Sequence, residues 1–181
     1  GNINLIGHET YTQLLSETIA ELKGDSTFNK TIDVELKLPV EKIIPTDFVV
    51  QQKSRLNLYK QIFSADDFES LGNLQKKIRD QYGALPDELT NLFLLARIKL
   101  KAQELSCTKV AHSEMGFVEL QFKLDPESKS QRKFLQKAQK RTKEYIITED
   151  YRVLISADIG KRSDSKEQIE FLENVLKALH I

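Results

Sequence analysis

The segment over 86–105 constrains this chain more than any other. It carries Leu89, Leu92, Phe93, Leu94, Leu95, Ala96, Ile98 and Leu100. At 3.6 residues per turn these positions cover nearly the whole circumference, so the segment reads as a helix buried on all sides. Pro86 suits a first helical residue, and Gly83 ends the helix before it. A helix wetted nowhere needs other elements around it. With 181 residues, 40% of them apolar, the chain has the material for such a core. Its charged residues, 30% of the total, are interspersed with the apolar ones, which argues against disorder.

The flanking elements follow from periodicity. A first helix is expected over 8–23, with Tyr11, Leu14, Leu15, Thr18, Ile19 and Leu22 at helical spacing and Gly24 as its stop. Ile32, Val34, Leu36 and Leu38 alternate with Asp33, Glu35 and Lys37, which is a strand with one buried face, ended by Pro39. Residues 40–50 contain Pro45 and no clean period, and read as an ordered loop. A helix over 51–63 places Leu56, Tyr59, Ile62 and Phe63 on one side. Ser64 with Asp67 resembles a capping box opening a helix over 65–82, which carries Phe68, Leu71, Leu74 and Ile78.

The last third changes period. Val110 sits in a short strand, and Val118, Leu120 and Phe122 alternate with Phe117, Glu119 and Gln121 in a second, with Met115-Gly116 as the turn. Asp125 is the expected N-cap of a helix running to about 142. Strands over 145–148 and 151–157 turn at Glu149-Asp150. Ser163 is the expected cap of a last helix carrying Ile169, Leu172, Val175, Leu176 and Leu179. The pattern predicts an α+β fold with helices packed on a small mixed or antiparallel sheet. The C-terminal half holds two successive β-hairpin–helix units, at about 108–142 and 144–180.

Several classes of function are excluded. Lys plus Arg and Asp plus Glu both number 27, so the chain is no dedicated, strongly basic nucleic-acid module. In a G-x-x-x-x-G-K phosphate loop ending at Gly160-Lys161, the first glycine would fall at Ile155, so the pattern fails. His8, His112 and His180 lack a second ligand at helical spacing, so no metal site is expected. Cys107 reads as a buried, inert thiol and fits a reducing compartment. The acid pairs Asp66-Asp67, Asp87-Glu88 and Glu149-Asp150 suit helix starts and a turn. No nucleophile–base pair supports a hydrolase. No apolar run is long enough to span a membrane, and no leader is expected. Met115 is the only methionine. The expectation is therefore a piece of a longer, cytoplasmic protein, with no cofactor of its own.

Two charged helices stand out. Lys129, Lys133, Lys137 and Lys140 follow i, i+4, i+8, i+11 and line one face, flanked by Arg132, Arg141 and Lys143, with no acid between Lys129 and Lys143. The stripe is either a solvated outer face, with Phe134, Leu135 and Ala138 turned inward, or a contact for phosphates. The expected helix over 65–82 instead mixes signs: Asp66, Asp67, Glu69, Lys76, Lys77, Arg79 and Asp80. Asp80 lies near its C-terminal end, where an acid opposes the helix dipole. Such a residue is either simply solvated or kept for a partner.

The region 39–105 resembles the C-terminal domain of bacterial transcription-repair coupling factor (Mfd). The matching pieces occur in order. Glu35-Leu36-Lys37-Leu38-Pro39-Val40 is followed by Ile44-Pro45-Thr46-Asp47-Phe48, and then by Arg55-Leu56-Asn57-Leu58-Tyr59-Lys60-Gln61-Ile62. Asp80-Gln81-Tyr82-Gly83-Ala84-Leu85-Pro86 matches the family's Asp-Arg-Phe-Gly-x-Leu-Pro, and the segment 92–100 with Ala96-Arg97 matches its long buried helix. Tyr11-Thr12-Gln13-Leu14-Leu15 resembles the helix that precedes the domain.

The resemblance implies a leading helix and linker over 1–30 and a single α+β domain over 31–181. It implies a non-catalytic, autoinhibitory role within an ATP-dependent DNA translocase that displaces stalled RNA polymerase and recruits excision repair. In that family the domain packs on an N-terminal UvrB-like module of the same protein and masks its UvrA-binding surface, while ATP and magnesium belong to the motor. The contact uses acids on the helix before the Tyr-Gly turn. Asp80 matches one such position and Tyr82 lies beside it. Lys77 departs from a position that is acidic in some relatives, and Gln81 stands where Arg is common.

Overall fold

The structure is a computed structural model that describes residues 33–113, 115–156 and 164–181. The expected helix over 8–23 and the expected cap at Ser163 lie outside the described residues. Among those described there are five helices and one five-stranded sheet. They form two compact units: Lys42–Phe93, and the run through Glu41 together with Leu94–Ile181.

The first unit begins with the expected loop. Its order comes from the helix that follows, α1 (Gln52–Phe63). Arg55 Nη1 donates to the carbonyls of Val49 and Val50, each at 2.7 Å, and the Ile44 N–H donates to the Tyr59 hydroxyl at 2.6 Å. The Phe48 and Val49 amides close a turn on the Pro45 carbonyl, each at 3.2 Å. Ile44 and Val49 are thereby buried without belonging to any regular element. In α1 the buried residues are Leu58 and Ile62, while Leu56, Tyr59 and Phe63 are half-buried. The inward stripe is thus rotated from the expected one, because Tyr59 and Arg55 turn towards the loop.

Helix α2 (Phe68–Tyr82) buries Leu71 and Ile78. The expected cap at Ser64 is corrected: Ser64 closes α1, its N–H bonding the Lys60 carbonyl at 2.9 Å, and Asp67 caps α2 by accepting from the Ser70 N–H at 2.7 Å. Gly83 ends α2 as expected, at φ +95°. Helix α3 (Asp87–Glu104) is the segment apolar on all sides: Leu89, Leu92, Phe93, Leu94, Leu95, Ala96, Ile98 and Ala102 are all buried. Pro86 stands just ahead of it, with its carbonyl accepting the Thr90 N–H at 3.0 Å.

In the second unit the sheet order is β1-β2-β3-β5-β4, with β1 (Glu35–Lys37), β2 (Cys107–His112), β3 (Phe117–Phe122), β4 (Tyr145–Ile147) and β5 (Val153–Ser156). The β1–β2 pair is parallel and the others antiparallel, so the sheet is mixed. Register puts Leu36, Val110, Leu120 and Val153 in one row, and His112, Val118, Ile155 and Tyr145 in the next on the same face. That face is covered by α4 (Lys129–Lys140) and α5 (Ser165–Leu179). Phe134 of α4 stacks against Phe122 and Tyr145, with centroids 5.8 and 6.1 Å apart, and Phe171 of α5 meets His112 at 6.4 Å. Each β-hairpin is therefore followed by a helix on one side of the sheet, which is the expected α+β arrangement.

One cap differs from expectation. Asp125 does not cap α4: its carboxylate accepts from the Glu127 N–H at 3.0 Å in a turn, and Ser128 caps by accepting from the Gln131 N–H at 3.2 Å. Asp164 caps α5, accepting from the Lys166 N–H at 2.7 Å.

Candidate functional site

The motif residues of the first unit divide by what they touch. The Tyr82 ring lies 5.6 Å from Phe48, on the side of α2 that also carries Leu71 and Ile78. It therefore pins the loop and positions the Gly83 turn. Lys77 and Asp80 are exposed on the opposite side, with Glu69, Asn73 and Lys76. Asp80 makes no ion pair with any described residue. The structure thus brings Lys77 and Asp80 to one outer surface and turns Tyr82 away from it. Of this motif, Tyr82 packs inward on Phe48, whereas Asp80 and Gln81 are both exposed and make no side-chain hydrogen bond or ion pair among the described residues. The place of Asp80 in the last turn also sets it against the helix dipole.

The four lysines Lys129, Lys133, Lys137 and Lys140 are all exposed, as is Arg132, while Phe134 and Ala138 are buried and Leu135 half-buried. Sequence reasoning missed what anchors this helix. Gln131, 3% exposed, donates from Nε2 to the carbonyls of Leu105 and Lys123 at 3.0 and 2.9 Å, and its Oε1 accepts from the Asp125 N–H at 2.9 Å. A glutamine in a polar helix carries no sequence mark of burial.

No catalytic constellation emerges among the described residues. Cys107 is fully buried, and burial pushes its thiol up to about 12, so no thiolate is available at neutral pH. No three His, Cys, Asp or Glu side chains converge on a metal-sized site. Glu119, Arg152 and Asp150 form an exposed ion-pair chain beside the hairpin turn, at 3.0 and 2.7 Å. The three charges satisfy one another across β3 and the adjoining hairpin turn. No described helix is long and apolar enough to cross a membrane.

Comparison with known proteins bears on family and fold. The family model described as the TRCF domain matches residues 38–133. The transcription-repair-coupling factor of Haemophilus influenzae is 27% identical over 99% of this chain, and this chain spans 16% of that protein. The factor of the same name from Escherichia coli is 33% identical over 65% of this chain, which spans 11% of it. A crystal structure of the C-terminal domain of transcription-repair coupling factor superposes with a TM-score of 0.60 at 17% identity, covering 83% of this chain and 96% of the other. That likeness establishes the shared α+β fold.

Proposed function

From a chain that belongs to the TRCF domain family, we propose a non-catalytic regulatory domain that docks through the outer face of α2. The partner in this reading is the UvrB-like N-terminal module of the same transcription-repair coupling factor, in the bacterial cytoplasm. Docking covers the module's UvrA-binding surface and restrains the ATP- and magnesium-dependent DNA translocase until RNA polymerase is engaged. The observation that carries the reading is Asp80: exposed, without an internal ion pair, and placed where the helix dipole disfavours it.

The physics of such a mask favours a surface of this kind. Closed and open states must differ by only a few kcal/mol, or no partner could shift them. A polar, charge-bearing face gives a specific but releasable contact, whereas a large apolar one would lock. Lys77 beside Asp80 makes the face mixed in sign, so the facing surface should offer both a cation and an acid.

The test is titration calorimetry of this chain against the separately expressed UvrB-like module, with Asp80→Ala alongside. The reading predicts saturable binding that weakens about tenfold or more in the variant, as for an exposed contact that becomes desolvated in a complex. Equal affinity of wild type and variant would remove Asp80 from the contact. No binding by either would remove the module as a partner of the free chain.

A further inference from the structure

We propose that the outer face of α4 binds the phosphate backbone of duplex nucleic acid, without reading its sequence. The proposal does not rest on the α2 contact, because it uses a different helix and a different partner. Lys129, Lys133, Lys137 and Lys140 stand in one line, with Arg132 beside them, and all five are exposed. None of the five has a carboxylate in ion-pair range among the described residues; Arg141 pairs with Glu144 at 3.7 Å beyond the helix end, and Glu104, which touches α4 at Ser130, pairs with Lys101 at 3.1 Å. The line is rigidly presented. Gln131 fastens the helix to three backbone groups, and Phe134 packs between Phe122 and Tyr145.

The chemistry of the face selects the class of partner. Protein interfaces are built around buried aromatic, Met and Arg side chains and are depleted in Lys. This face offers four lysines, and its apolar residues Phe134 and Ala138 are buried beneath it. α4 itself carries no acid, unlike the mixed face of α2; among the described residues, the one carboxylate that touches it is Glu104, which accepts from the Ser130 hydroxyl at 3.2 Å at the edge of the face. A lysine line gains affinity from a dense row of negative charge through counterion release, which needs neither shape nor apolar contact. From Lys129 to Lys140 the helix rises about 16 Å. A duplex presents one charge about every 1.7 Å of its axis, so several phosphates lie within reach of that length.

The experiment is fluorescence anisotropy of a labelled 20-base-pair duplex titrated with this chain at increasing salt. Three or four phosphate contacts predict a slope of log K against log salt of about −3 to −4. The double variant Lys133→Glu with Lys137→Glu should weaken binding about tenfold or more at low salt and reduce the slope by about two. The double variant Lys53→Glu with Lys166→Glu, two exposed lysines on α1 and α5, should leave both unchanged, and far-UV circular dichroism should show both variants folded as the wild type. A polyglutamate competitor, offering charge on an irregular chain, should displace the duplex only weakly. No binding near 20 mM salt, a slope unaffected by the α4 reversal, or an equal effect of the control reversal would each overturn the proposal. Tight polyglutamate binding with no duplex binding would assign the face to an acidic protein instead.

Discussion

Replacing Gln131 by leucine should destabilise the second unit far more than a substitution on so polar a helix would suggest. The side chain makes three hydrogen bonds, to the Leu105 and Lys123 carbonyls and from the Asp125 N–H, all between 2.9 and 3.0 Å. These groups lie outside the strand ladders, in the segments just before β2 and after β3. Leucine has nearly the same volume, so little cavity forms and the loss is chiefly polar. The bond to the Leu105 carbonyl is buried, and stranding such a group costs about 1–3 kcal/mol. The other two bonds are partly buried, so water can replace part of each at about 0.5–1.5 kcal/mol apiece. The extra apolar burial of leucine offsets about 1 kcal/mol. The net expectation is a loss of about 1–5 kcal/mol, centred near 3, or a fall of about 0.5–2.5 M in the urea midpoint at a slope of about 2 kcal/mol/M. Circular dichroism during urea unfolding reads this directly. A midpoint within about 0.3 M of wild type would refute the claim that this amide anchors α4. Gln131→Glu supplies a second readout. It keeps an acceptor for the Asp125 N–H but turns a carboxylate towards two carbonyls, which raises its pKa in the folded state. Its stability deficit should therefore be greatest at neutral pH and shrink as pH falls through that raised value.

Two further outcomes follow from backbone geometry and burial. Gly83 sits at φ +95° and ψ −161°, a region essentially closed to residues with a Cβ, and an added Cβ would meet nothing within 4 Å. Gly83→Ala should therefore cost about 1–3 kcal/mol through strain alone, seen as a thermal midpoint lowered by about 2–10 °C, and an unchanged midpoint would mean that the turn relaxes. Tyr145 is buried with its hydroxyl donating to the Ala178 carbonyl at 2.8 Å, and burial pushes its phenol up to about 12. The folded state thus holds this proton where an unfolded tyrosine, near 10, has lost it. Stability should fall as pH rises from about 10 towards 12, more steeply than in Tyr145→Phe, and equal slopes in alkaline urea titrations would contradict this.

Much of the fold was legible because burial writes a period into a sequence. The α3 segment is apolar nearly all round, and Leu89, residues 91–96 and Ile98 are buried where that pattern is densest. The alternation around Val118 and Leu120 marks β3, whose inward face the structure confirms. Capping was less legible, since Ser64, Asp67, Asp125 and Ser128 are all competent oxygen acceptors and only the local chain path decides among them. The end of α3 shows the same limit: the chain turns on Ser106 at φ 55°, where a glycine would have been the sequence signal. The order in the 40–50 loop was expected, but its cause was not. Arg55 and Tyr59 carry helical spacing and look like an outer and an inner residue of α1, yet both reach sideways to hold backbone.

Local helix electrostatics separate the two charged helices more sharply than composition does. In α2, Asp67 and Glu69 sit at the N-terminal end and Arg79 in the last turn, so most of its charge favours the helix that bears it. In α4 no acid stands in the first turn, and Lys129–Lys133, Lys133–Lys137 and Lys137–Arg141 are like-charge neighbours at i,i+4. Each such pair opposes the helix by a few tenths of a kcal/mol, so the stripe costs about 1 kcal/mol of local stability. Only Lys137 and Lys140, in the last turn, recover part of it from the dipole. The balance is met from the other side of the helix, by the Gln131 amide and by the burial of Phe134 and Ala138. A helix that needs tertiary anchoring to tolerate its own surface is one whose surface is not explained by the fold. In α2 that argument applies to one residue, Asp80, and points to a specific contact. In α4 it applies to a whole line of charge, which is the pattern a repetitive polyanion requires.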